Sequence, residues 1–129
     1  MKMLAITGVS FRVVEQLLTQ GSTQIIVRSG NNLDAVVRLQ PGDLVFVTTV
    51  GKRELKKGVS GVVATVRSVS VVHEHVVTGG DEHFEREFVA ARLILNRVGS
   101  GRVREYKDCG VGRRVEVDVE MESAVSEAY

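Results

Sequence analysis

Lys52, Arg53, Lys56 and Lys57 crowd one short run of the chain, and Glu54 is the only counter-charge among them. Cations packed that closely suit phosphate: lysine acts as a point charge, and the arginine fork matches two phosphate oxygens. The same composition also describes a solvated loop between strands, kept in water by its charge. A second basic set, Arg97, Arg102, Arg104, Arg113 and Arg114, comes from the late part of the chain. If both sets meet at one end of the molecule they form a continuous positive rim. Each neutralised phosphate then adds roughly −0.9 to the log–log salt slope for duplex, and less for single strands. Nucleobases also need stacking platforms, and the aromatic residues are few: Phe11, Phe46, Phe84, Phe88, Tyr106 and Tyr129. Most of these read as core. Tyr106, beside Lys107 and near Arg104, is the best placed to stack.

His73, His75 and His83 flank a Gly79-Gly80 pair, with Glu74, Asp81 and Glu82 nearby. Residues two apart on a strand share a face, so loop length decides what the histidines can do. A two-residue Gly79-Gly80 loop sets His75 opposite Phe84. A three-residue loop from Thr78 sets it opposite His83 and opens a three-histidine metal site. The shorter loop is the commoner, so the reading is a polar hairpin with no metal. Cys109 sits in a turn near basic residues, but no histidine at a recognisable spacing supports a nucleophile. Gly110-Val111-Gly112 lacks the strand-to-helix context of a dinucleotide loop. Thr48 and Thr49, with Arg28 and Glu85 or Glu87, are candidates to line a polar cleft.

The elements that must position these residues are mostly strands. Gln40-Pro41-Gly42-Asp43 is a turn signal, since proline presets φ at its second position and glycine accepts positive φ at the third. It opens a strand from Leu44 to Val50, followed by the basic loop and a return through Gly58-Val59-Ser60-Gly61 towards Val77. The alternation slips between Val66 and Val71, which predicts a bulge. Lys2 to Thr7 reads as an opening strand. Ser10 predicts an N-cap, with Val14, Leu17 and Leu18 at helical spacing and Gly21 as the stop. Thr23 to Arg28 reads as a strand in which Ile25, Ile26 and Val27 are too apolar in succession to face water on either side. Asn31 and Asn32 predict a cap for a short helical turn ended by Pro41. Phe84 to Val98 fits helix or strand, and a strand from Phe88 is favoured by pairing across Gly79-Gly80. Gly99-Ser100-Gly101 reads as a turn. In Arg114 to Met121 the valines alternate with Glu116, Asp118 and Glu120, giving one buried face and one acidic wet face.

A chain of 129 residues, 43% hydrophobic and 26% charged, is one ordinary domain with one sizeable core. The expected domain spans 1–122, with a frayed tail at 123–129. A formal net charge of +1 excludes a global field for nucleic acid, so any such affinity is local. A single cysteine excludes an internal disulfide and a multi-cysteine zinc site, and fits a reducing cytoplasm. No apolar run approaches the roughly 20 residues of a membrane span.

The order of these signals resembles the PUA-like superfamily. Its ASCH branch carries the pattern GxKxxExR just before the Pro-Gly-Asp strand. Gly21-Ser22-Thr23-Gln24-Ile25-Ile26-Val27-Arg28 keeps the outer glycine and arginine, with Thr23 at the lysine position and Ile26 at the glutamate position. The whole chain also looks like a small family of uncharacterised archaeal proteins. That family shares the "ITG" opening, the "PGD" strand, the "GxxGV" return and a Glu-Arg-Glu run. The first resemblance implies an α+β fold, a PUA-like antiparallel β-barrel with one flanking N-terminal helix and a cleft at the barrel mouth. Members bind RNA, nucleotides or modified nucleosides, and some hydrolyse acylated cytosine nucleosides through that lysine. Only Arg28 carries over, which implies binding rather than catalysis.

The expectation is a non-enzymatic module for RNA or a nucleotide-like ligand, without a cofactor. Its site residues are Arg28, Thr23, Thr48, Lys52, Arg53, Lys56, Lys57, Arg104 and Tyr106. The alternatives are a hydrolase of a modified nucleoside or small amide, with Lys52 in place of the missing lysine, and a protein-interaction or homodimer scaffold. The scaffold reading requires the apolar face of 114–121 to be uncovered.

Overall fold

The computed structural model describes residues 1–28, 30–78 and 84–122, with the backbone alone at 72–78 and 84–89. Its elements are β1 (Lys2–Ile6), α1 (Phe11–Gln20), β2 (Ser22–Val27), α2 (Gly30–Val36), β3 (Leu44–Val47), β4 (Ser60–Thr78), β5 (Phe84–Asp108) and β6 (Val115–Met121). A single 3-10 turn, Lys52–Glu54, lies between β3 and β4. The sheet order is β2-β5-β4-β3-β1-β6, and β5 also pairs with β6. Hydrogen bonds therefore run in a closed ring, β5-β4-β3-β1-β6 and back to β5, with β2 as a side branch on β5. Two helices flank it, where one helix and a helical turn were expected.

Every pair is antiparallel except β1 with β3, where Leu4 to Ile6 run parallel to Val45 to Val47. The purely antiparallel expectation fails there for a topological reason. Parallel neighbours need a long crossover, and α1, β2 and α2 supply it. The Pro41 turn forms as read: Asp43 N–H donates to Gln40 O at 3.0 Å, and Gly42 takes φ of 96°. Ser10 caps α1 by accepting from Val13 N–H at 3.3 Å, and Gly21 ends it at φ of 79°. The predicted bulge lies between Val66 and Ser68, and a second shift falls between Val63 and Ala64.

Gly99-Ser100-Gly101 is not a turn. β5 runs straight through it, pairing with β2 over Ala91–Asn96 and with β6 over Gly101–Asp108. The glycines serve close approach instead: a Cβ on Gly101 would stand 2.5 Å from the Val119 side chain. The Gly79-Gly80 loop and His83 lie outside the described residues. The flanking pairs Thr78–Phe84 and His75–Glu87 exclude both expected registers, and the strand runs from Phe84 with no helix.

Two apolar layers follow from strand alternation. Inside the ring pack Met3, Ala5, Phe46, Leu55, Val63, Val103, Val115, Val117 and Val119. Between the outer wall and the helices pack Ile6, Leu17, Ile25, Val27, Val36, Val45, Val47, Leu93 and Leu95 among others. The valine face of β6 is thus inside the ring, 1–2% exposed, and the uncovered face required by the scaffold reading is absent there. Among the described residues no helix is long and apolar enough to cross a membrane.

Phe46 fills the ring only because Gly61 lies over it; a Cβ there would sit 2.5 Å from the ring and 2.6 Å from Val47 O. Gly61→Ala is expected to destabilise the fold by about 1–3 kcal/mol through overpacking. Gly99→Ala, which meets only the flexible end of Met121, should cost less. Urea denaturation of both variants checks the order.

Candidate functional site

The end of β1 runs into Thr7-Gly8-Val9-Ser10 before α1 begins. Gly8 N–H donates to Val50 O at 2.8 Å and Val9 N–H to Thr48 O at 3.1 Å, fixing this segment against the exit of β3. Its other side is held by α2. Asn32 accepts from Thr7 N–H at 2.9 Å and donates to Thr7 O at 2.7 Å, satisfying both main-chain groups as a neighbouring strand would. Asn31 Nδ2 adds a bond to Thr7 Oγ1 at 3.0 Å. The two asparagines lie within α2 and clasp β1, rather than capping a turn as expected. Each replaces hydrogen bonds that Thr7, 4% exposed, would otherwise lack.

A cleft of about 380 Å³ opens between this segment and β2. Its walls are Ile6 to Ser10 and Val13 on one side, Ile25 to Arg28 on the other, and Asn32 below. Arg28 is exposed and has no ion-pair partner among the described residues. The N-terminus of α1 starts at the same opening; Ser10 holds the Val13 N–H, leaving those of Phe11 and Arg12 without a helical acceptor. Ile26 is 45% exposed, against the expectation that three successive apolar residues would all be covered. The reason is alternation: Ile26 shares the outer face of β2 with Gln24, while Thr23, Ile25 and Val27 turn inward and are buried. Phe11, the first residue of α1, is 74% exposed.

Of the residues expected to form the site, Arg28 alone lines this cleft. Thr23 is buried under α1, donating to Gln16 Oε1 at 2.9 Å. Thr48 is buried too, donating to Ser60 O at 3.1 Å and accepting from Val50 N–H at 3.2 Å. Lys52 pairs with Asp108 at 3.0 Å and donates to Gly110 O and to Arg113 O, so its charge is spent closing the β5–β6 turn. Arg53, Lys56 and Lys57 are exposed around Leu55, which anchors their loop inside the ring. Arg104 and Tyr106 belong to another surface. Tyr106 lines a groove of about 370 Å³ with Lys2, Glu105, Lys107, Glu116 and Asp118, whose carboxyl is held low first by the hydrogen bond from the Met1 ammonium and then, more weakly, by the charge of Arg104.

The late arginines are mostly engaged by other groups, although Lys52 of the basic loop donates to Arg113 O at 3.2 Å. Arg97 Nη1 donates to Leu18 O at the end of α1, and Arg102 pairs with Glu122 at 2.9 Å. Arg113 and Arg114 face Asp34 of α2. Sequence reasoning missed Thr7, Ser10 and Asn32 as cleft walls, and Asn31 as a support behind Thr7. The signal for the asparagines was two adjacent amides at the start of a short helix. Among the described residues no cluster could hold a metal ion, and His83 lies outside them.

Asp34 ties α2 to the β5–β6 turn. Arg114 N–H donates to its Oδ2 at 2.8 Å, and this bond, with the nearby charges of Arg38, Arg113 and Arg114, lowers the carboxyl below its ordinary value. The Asp108 carboxyl is lowered by Gly110 N–H and then by Lys52. Carboxyls lowered in the folded state bind fewer protons than in the unfolded chain, so stability rises with pH across their titration. Their contribution is complete above the unfolded value of about 3.9 and is lost as pH falls through the lower folded values. Thermal melts from pH 6 to pH 2 should show this loss below about pH 4. Asp34→Asn should lower stability at pH 6 and flatten part of the acid slope. Asn32→Ala, which strands both Thr7 main-chain groups, should cost about 1–3 kcal/mol at any pH.

A family model described as "Protein of unknown function (DUF473)" matches residues 1–117. The uncharacterized protein MJ0105 of Methanocaldococcus jannaschii is 26% identical over 111 residues, covering 86% of this chain and 70% of its own length. No solved structure matches. The likeness to an uncharacterised archaeal-type family is met in those terms: the chain belongs to the DUF473 family.

Proposed function

We propose that the chain is a binding module for a nucleotide-like ligand, held in the cleft between α1 and β2. The observation that carries this is the convergence of Arg28 and the N-terminus of α1 on one opening. Both favour an anion, one through guanidinium forks and the other through main-chain N–H groups and the helix dipole. The exposed ring of Phe11, next to Ser10 in the cleft wall, offers a face on which a base stacks. The volume suits a small organic ligand. The closed strand ring with its flanking helices supports a PUA-like barrel as the scaffold. Binding is favoured over hydrolysis because the described lining contains no lysine, histidine or carboxylate to move a proton.

A free mononucleotide and the end of a single-stranded RNA present the same chemistry, and titration separates them. Calorimetry with AMP and filter binding with a short RNA, each across a salt series, are expected to show saturable binding at low salt. RNA held only by its end should show the shallow salt slope of AMP, whereas further phosphate contacts steepen it. Arg28→Ala should weaken either ligand about tenfold to a hundredfold, the size of a charge-assisted hydrogen bond. Absence of binding by both at low salt would overturn the reading.

A further inference from the structure

The cleft has one wall whose hydrogen-bonding capacity is unspent. Arg97 N–H donates to Gly21 O at 2.8 Å, and Gly21 precedes Ser22, which stands opposite Asn96. In an antiparallel ladder, alternate residues turn both main-chain groups to the partner strand. Thr23, Ile25 and Val27 therefore face β5, opposite Leu95, Leu93 and Ala91. Gln24 and Ile26 turn their N–H and C=O the other way, where β2 has no neighbour. Among the described residues no main-chain or side-chain group bonds to them there. Four successive residues, Ile25 to Arg28, line the cleft, as expected where a cavity follows a strand edge rather than a face. The opposite wall is satisfied already: Gly8 and Val9 are bonded to Val50 and Thr48, and Thr7 to Asn32.

We infer that the Ile26 main chain reads the Watson–Crick edge of a nucleobase. The inference rests on the nucleotide reading and adds what selects the ligand. Each base offers a donor next to an acceptor in one plane, the complement of an N–H and a C=O on a strand edge. Unpaired edge groups give affinity to whatever supplies that pattern. The anion is then held by Arg28 and α1, and the base by β2. Ile26 occupies the position of the ASCH-type glutamate, and its main chain rather than its side chain is the recognising group.

Ile26→Pro removes the outward N–H, and proline is tolerated on an edge strand where that group is not in the ladder. Calorimetry on the full chain compares AMP, ribose 5-phosphate and benzimidazole riboside 5′-phosphate, whose base stacks but has no Watson–Crick edge. The wild type is expected to prefer AMP to both others by about tenfold. In Ile26→Pro the preference for AMP over benzimidazole riboside 5′-phosphate should collapse. Equal affinity of the wild type for all three, or a preference that survives in Ile26→Pro, overturns the inference and leaves the anion site standing. If the variant does not fold, the benzimidazole comparison in the wild type decides alone. Failure of all three to bind overturns the underlying reading as well.

Discussion

Closure of the ring depends on one strand serving two partners in succession. β5 gives its early part to β2 and β4 and its later part to β4 and β6. At the change-over, side chains would collide with Val119 and Met121 of β6; Gly99 and Gly101 remove them. Once closed, the ring has an interior as fully packed as any core, built from alternate residues of β1, β3, β4, β5 and β6. The outer residues of β1, β3, β4 and β5 are then committed to the second layer beneath the helices, while those of β6 are acidic and stay out of it. A strand that supplies both layers cannot slip by one residue without exchanging them.

That commitment explains where the cleft lies. α1 and α2 cover the outer layer, but the segment that joins β1 to α1 must turn away from the ring to do so. Asn32 substitutes for a missing neighbour strand at Thr7, which lets β1 end without leaving buried groups unpaired. β2 meanwhile stands off the ring as a branch. The space between a strand that has ended and a strand that was never enclosed is the cleft. Its chemistry is therefore mostly main chain and helix terminus, with Arg28 as the one exposed charge in the described lining.

The signals carried by local geometry were legible in the sequence. Ser10 and Gly21 bracket α1, Pro41-Gly42 makes the turn, and the valine alternation of 115–119 marks the buried face of β6. Those features depend on residues within a few positions of each other. Pairing across long separations was less legible. Glycines at 99 and 101 look like a turn in sequence, and only the approach of β6 shows their steric purpose. The clustered cations show the same limit. Lys52 is adjacent to Arg53 in the chain, yet its energetic partner is Asp108, which no local pattern announces. Ile26 looked buried because apolar residues flank it, whereas the alternation of β2 turns it, with Gln24, to the exposed face.

The pairing of β1 with β6 has a kinetic consequence. Met3 meets Val117, and Ala5 meets Val115, so β1 must wait for β6 to be synthesised before its second edge is satisfied. Contacts so distant in sequence make closure slow compared with formation of α1 or the β4–β5 ribbon. During synthesis β1 presents an open, apolar edge, and its first stable neighbour is β3, in parallel. The long crossover that separates them is thus the temporary cover for an unfinished wall.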